Sequence, residues 1–224
     1  MAGGVWTLQA RLRNEADFTR ALIRKIKCDI RCAAPGIIKK FDVDKQTVDV
    51  QLVTREKFAD DGEVKSFKIP ELGDVPICMP RAGNFIITMP IEVGDECLVV
   101  FADTCIDDWF QRGGEENEQL TGRRHDLSDA IAICGIWNQK RVIDSYSTDS
   151  VQIRNIDGDN YIELKDNEVN IKTTSKINIE TSGDTKIDAT GNMDIMSSGA
   201  MNIESESTVD ISGTGNINIE GQAT

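Results

Sequence analysis

Apolar and polar positions change their rhythm twice along this chain. Over residues 14–33 the apolar residues Phe18, Leu22, Ile26 and Ile30 recur at helical spacing. That stripe predicts an amphipathic helix, stopped by Pro35-Gly36. From Gly36 to Cys134 short runs alternate instead. Gly36–Phe41, Thr47–Val53, Glu63–Ile69, Val75–Met79, Asn84–Thr88, Glu96–Phe101 and Ala130–Cys134 read as strands, with Asp42–Gln46 and Asp60-Asp61-Gly62 as turns. Asp107–Phe110 reads as a short helix between them, and 113–124 as a polar loop. Short strands with one small helix predict a small barrel of the oligonucleotide/oligosaccharide-binding type.

The third rhythm is a repeat of eight. Ile171, Ile179, Ile187, Ile195, Ile203, Ile211 and Ile219 stand eight residues apart. Two residues before each is a second register: Val169, Ile177, Thr185, Met193, Met201, Val209 and Ile217. The residue between is always polar, from Asn170 to Asn218. Apolar–polar–apolar is the alternation of a short strand with one buried face. Gly183, Gly191, Gly199 and Gly215 share the period, with Ser207 in the missing slot, and predict turns needing positive φ or close backbone approach. An exact repeat signals a stacked, quasi-one-dimensional architecture.

Eight is no multiple of 3.6, and the segment is rich in β-branched residues, Gly, Ser and Asn, so a helix is excluded. Two apolar residues per octad bury too little surface to order one chain alone. Three chains about one axis would suffice, with the isoleucines at the axis and each strand paired to a neighbouring chain. The expected core is Val169, Ile171, Ile177, Ile179, Ile187, Met193, Ile195, Met201, Ile203, Val209, Ile211, Ile217 and Ile219. A disordered Ser/Thr/Gly tail is the competing reading, but disorder has no reason to keep seven isoleucines in phase.

The fold class expected is therefore mainly all-β: an N-terminal basic helical segment (1–34), a barrel (35–137), a linker that begins the β structure (138–165), and a triple-stranded β-helix of an intertwined homotrimer (166–224).

Charge changes the picture at both ends. The net charge is −13, which opposes binding to nucleic acid through phosphates. Residues 1–34 nevertheless hold seven Lys/Arg against three Asp/Glu. Arg11, Arg13, Arg20, Arg24, Lys25 and Lys27 are read as a docking face for an acidic partner, or simply as a solvated helix face. Residues 151–224 carry 13 acids and five bases, with no aromatic after Tyr161. Such a surface offers nothing sticky. The opening residues do not resemble a signal peptide, and no apolar run is long enough to span a bilayer, so a cytoplasmically made, soluble protein is expected.

Candidate chemistry is sparse. The six cysteines read mostly as small core residues. Cys28 and Cys32 would share a helix face, but His125 is the sole histidine, so a zinc set lacks partners. Arg123-Arg124-His125-Asp126 suggests an acid–base pair without a nucleophile. Asp107, Asp108, Asp126 and Asp129 read as loop caps. Lys65-Ser-Phe-Lys68 is the one basic stretch beside an aromatic that a nucleic-acid or sugar groove could use. No catalytic residue, metal site or cofactor is expected.

The run DVPICMPRAGNFIITMPIEVGDECLVVFADTCIDDWF, then RRHDLSDAIAICGIW, then the octads, resembles the central membrane-piercing spike proteins of contractile phage baseplates. The resemblance covers about residues 34–224. Type VI secretion spikes of the VgrG class and spikes of phage-tail-like bacteriocins share the plan. It implies a homotrimer in a virion or tail-like particle, joined through its N-terminal region to a hub or tail tube. Sheath contraction would drive it through the target membrane. Two departures stand out. Some relatives end in His-x-His, which binds iron at the apex, and no histidine follows His125 here. Ile217 and Ile219 would then seat a separate tip protein. Other relatives insert a lysozyme domain, for which residues 138–150 leave no room. A cell-wall hydrolase, a tail-tip adaptor or hub component, and a receptor-binding fibre are the alternatives, the last lacking a globular C-terminal head.

Overall fold

A computed structural model describes residues 8–60, 63–114 and 116–220. The chain divides into two compact units, residues 1–148 and 149–224.

The first unit opens with helix α1 (Leu8–Asp29). It starts and stops earlier than the stripe predicted. Cys32 consequently lies beyond the helix, so the expected Cys28/Cys32 face does not form; the Cys28 side chain lies outside the described residues. The helix gives way because β1 (Ala33–Asp42) is already pairing at Ala33, opposite Val100. Pro35 is accommodated inside that strand, its carbonyl accepting from Val53 N at 3.0 Å.

Strands β2 (Thr47–Leu52), β3 (Glu56–Asp60), β4 (Glu63–Phe67), β5 (Leu72–Cys78), β6 (Arg81–Ala82), β7 (Phe85–Ile86) and β8 (Glu96–Phe101) follow. Then come helix α2 (Asp107–Arg112) and β9 (Ala130–Cys134). β1, β2, β5, β9 and β8 close a barrel in that order, with β5 and β9 its one parallel pair. This is a five-stranded barrel of the oligonucleotide/oligosaccharide-binding kind. The strand expected over Glu63–Ile69 forms as β4, and its hairpin partner β3 is additional, since its sequence shows no alternation.

Inward positions of these strands form the core: Ile38, Val48, Val50, Val75, Val99 and Phe101 among them. Gly36 marks the closure, where β1 passes from β8 to β2. A Cβ there would collide with Val50 Cγ1 and stand 3.1 Å from Val99 Cγ2, so only glycine lets the strands meet. Cys97, Cys105 and Cys134 are buried or half-buried, as a core reading requires, but Cys32 and Cys78 are exposed. Burial pushes the Cys97 thiol up to about 12, which makes it a packing group and not a nucleophile.

The second unit begins with an antiparallel meander, β10 (Val151–Arg154), β11 (Tyr161–Lys165) and β12 (Glu168–Lys172). Val169 and Ile171, the first octad, lie in β12 and pair within the chain, opposite Leu164 and Ile162. The expectation paired each octad strand with a neighbouring chain; the first octad also pairs within its own, leaving one edge of β12 open among the described residues. The cause is local: the Asp166-Asn167 turn brings β12 straight back beside β11.

Candidate functional site

In the meander, the direct cross-strand rows sort the side chains by chemistry. Val151, Leu164 and Val169 form one row, and Ile153, Ile162 and Ile171 another. Both rows lie on one face, and all six residues are exposed, Ile153 at 67% and Ile171 at 64%. Between them runs the row Gln152, Glu163, Asn170 on the opposite face. That polar face is the covered one. Glu163 Oε1 accepts from Ser150 Oγ and Gln152 Nε2, both at 2.7 Å, and Oε2 accepts from Asn170 Nδ2 at 3.2 Å. Lys165 Nζ stands 3.6 Å away. These donors, the Ser150 hydroxyl first, hold the Glu163 carboxyl at about 2, well below its ordinary 4.5.

The apolar residues of the later octads are exposed as well. Ile177, Ile179, Ile187, Met193, Ile195, Met201, Ile203, Val209, Ile211, Ile217 and Ile219 are all exposed, Ile179 at 84%. Residues 173–220 form no ladder with any described residue of the chain. The expected three-residue strands after the first octad are thus not strands within a single chain, because a strand needs a neighbour and these octads have none among the described residues. Their period is nevertheless written in the backbone. Bends fall at 174–175, 182–183, 190–191, 198–199, 206–207 and 214–215.

Gly183, Gly191, Gly199 and Gly215 stand in those bends, but none has positive φ. A Cβ at Gly191, Gly199 or Gly215 would meet nothing within 4 Å. Both reasons offered for glycine therefore fail within the chain. Hydroxyls close the bends instead. Thr181 Oγ1 accepts from Gly183 N at 3.1 Å, Ser197 Oγ from Gly199 N at 3.2 Å, Ser205 Oγ from Ser207 N at 3.2 Å, and Thr173 Oγ1 from Ser175 N at 3.1 Å. Such a side-chain turn sets the chain direction without a left-handed residue, which is why serine substitutes for glycine at 175 and 207. Thr173, Thr181, Ser197 and Ser205 obey the period of eight, with Ala189 and Gly213 in the gaps. That spacing was the sequence clue that the glycines obscured.

Of the basic residues read as a docking face, Arg20, Lys25 and Lys27 lie exposed on α1. The side chains of Arg11, Arg13 and Arg24 lie outside the described residues, as do Gly221–Thr224 beyond Ile219. The apolar stripe of α1 is uncovered too: Phe18, Leu22, Ile23, Ile26 and Ile30 are all exposed.

The carboxylates around α2 are gathered by one arginine. Asp129 is fully buried, and Arg123 grips it through Nε at 3.1 Å and Nη2 at 2.9 Å. The same Nη2 donates to Asp107 Oδ2 at 2.8 Å and reaches Cys105 Sγ at 3.2 Å. Cys105, Asp107 and Asp129 could between them present metal-ligand atoms, but the guanidinium already supplies the cation they face. It holds the Asp107 carboxyl below its usual range. This cluster pins the 113–126 loop to the barrel, a role the sequence did not reveal. Asp126 caps the short 3-10 turn at 127–129, accepting from Ser128 N at 2.9 Å. His125 faces Asp103 at 3.3 Å, not Asp126. Lys65-Ser-Phe-Lys68 runs along the exposed hairpin strand β4 and past its end.

Among curated proteins none matches the chain. Residues 34–135, which span the closed barrel except for Ala33 at the start of β1, match the family model described as phage protein Gp138 N-terminal domain. The match supports a phage-related structural component, and it rests on the barrel segment alone.

Proposed function

We propose that this chain is a structural, non-enzymatic central spike of a contractile tail baseplate. Three copies form a triple-stranded β-helix through the octads, and sheath contraction drives them through the target envelope. The observation that carries the reading is the uncovered apolar face of the second unit. Six cross-strand residues and the octad isoleucines lie exposed, while the polar face is already satisfied by its own hydrogen bonds. Exposure on this scale calls for a partner surface, and a repeat is best matched by copies of itself. The match of the barrel segment to a phage protein family supports a virion as the setting for such a trimer. The basic α1 would serve the hub or tube end, and a separate tip protein would seat on Ile217 and Ile219.

Light scattering of the purified chain tests this directly. A trimer of about 74 kDa, three times the 24.7 kDa chain, that resists SDS until boiled is the expected result. A monomer with a protease-sensitive C-terminal unit would overturn it. Incubation with peptidoglycan should release no fragments.

A further inference from the structure

α1 carries a second seam. Taking Ile23 as position a of a heptad puts Ile26 at d and Ile30 at the next a. Ile30 N donates to Ile26 O at 3.1 Å, so the helical turn extends past Asp29 and keeps Ile30 in phase. All three are about half exposed, at 47%, 49% and 46%. Upstream, Leu12 and Ala16 fall on d and a, and Thr19 on d. In the same frame Arg11, Arg13, Arg20, Arg24, Lys25 and Lys27 occupy only b, c and e. No base stands on the seam. Glu15 is at g and Arg20 at the following e, the pairing that joins neighbouring parallel helices.

We infer that α1 is a parallel three-helix coiled coil between copies of this chain, its bases turned outward. Three observations favour copies over a different partner. Isoleucine at both a and d selects trimers over dimers. A helix in a protein draws most of its stability from packing its apolar face, and the apolar residues of this one are exposed. The g-to-e charges are complementary between like helices, and the Arg20–Asp17 contact within one chain, at 3.1 Å between exposed side chains, is weak enough to be exchanged. Phe18 falls at c, off the seam, and stays outward with the bases. The inference shares the trimeric stoichiometry of the proposed function, and tethering by the octads would raise the local concentration of the helices.

The test uses the full chain and the variant Ile23→Ala/Ile26→Ala/Ile30→Ala. Alanine keeps helix propensity while removing the seam. Trypsin cleavage at Arg20, Lys25 and Lys27 is timed, and mass is measured by light scattering. The expected result is a trimeric wild type cut about tenfold or more slower at these sites than the variant. A variant that also loses trimer mass supports the seam equally. A trimeric wild type cut as fast as the variant would overturn the coiled coil and leave the octad trimer standing; so would equal protection of both. A monomeric wild type would remove the trimer and the coiled coil together.

Discussion

Ile38 and Ile153 are both strand isoleucines, yet one is fully buried and the other two-thirds exposed. The barrel of the first unit curls its sheet until the apolar faces of five strands meet one another. The meander of the second unit has three strands, too few to close, and it covers its polar face with its own side chains. Alternation therefore specifies which face is apolar, but the number of strands decides whether that face is satisfied within one chain. The barrel buries its apolar face within its own chain, whereas the meander leaves its apolar face exposed.

The sharpest way to break this comparison is a charge placed where only assembly would bury it. Ile195 is exposed in the single chain, so Ile195→Asp should leave a monomer undisturbed. At the axis of a trimer it sets three carboxylates together, each unpaired buried charge costing roughly 3–5 kcal/mol. The expected outcome is loss of trimer by light scattering with the barrel still folded by circular dichroism. A variant that stays trimeric and heat-resistant would remove Ile195 from the axis.

The next test compares the two isoleucines themselves. Ile38→Ala leaves a cavity in a closed core and should cost about 2–5 kcal/mol of barrel stability. Ile153→Ala removes a side chain that nothing in its chain covers, so its cost should appear only in the transition that depends on chain concentration. Thermal melts at two concentrations separate these cases. Equal, concentration-independent losses would mean that both units stand alone.

How far the sequence revealed each unit follows from the same difference. β8 and β9 were legible to the residue, because Cys97, Val99 and Phe101 alternate cleanly into a core made by their own chain. β3 was not, since Glu56-Lys-Phe-Ala-Asp60 places its two apolar residues side by side and shows no alternation. The early end of α1 was hidden because β1 begins through the pairing of Ala33 with Val100, a contact distant in sequence. In the second unit the octads announced their period, but not that the first would fold back on Leu164 and Ile162. Nor did they announce that hydroxyls, not left-handed glycines, close the bends. The Arg123 clasp was equally invisible: Asp107 and Asp129 are 22 positions apart and meet only through the Arg123 guanidinium.

Acid should distinguish the two faces of the meander. Glu163 has a folded value of about 2 against an ordinary 4.5. A depressed carboxylate stabilises the fold above its unfolded value and loses that contribution as pH falls through the folded one. The meander should therefore weaken between about pH 4.5 and pH 2. In Glu163→Gln, stability over that window should be flatter and lower at pH 7. Hydrogen exchange at the β11 amides, followed against pH, reads this out. An unchanged pH profile in the variant would show that the polar face does not hold the meander together.

The smallest effect expected concerns the bends, and there the chain supplies its own control. Thr181→Ala removes a hydroxyl that accepts from Gly183 N at 3.1 Å and donates to Gly183 O at 3.3 Å. The site is exposed, so water replaces part of the loss and the cost should stay below about 1 kcal/mol per chain. Ala189 already occupies the corresponding slot two residues before Gly191. The reverse change, Ala189→Thr, should recover a similar amount. In a cooperative trimer each change is counted three times, which lifts a marginal term to one that a thermal melt resolves. Opposite shifts of comparable size would establish the hydroxyl as the element that stabilises the bends where it is present. A shift in neither variant would return the bends to the extended backbone on either side, and with it the weight of the repeat to its isoleucines.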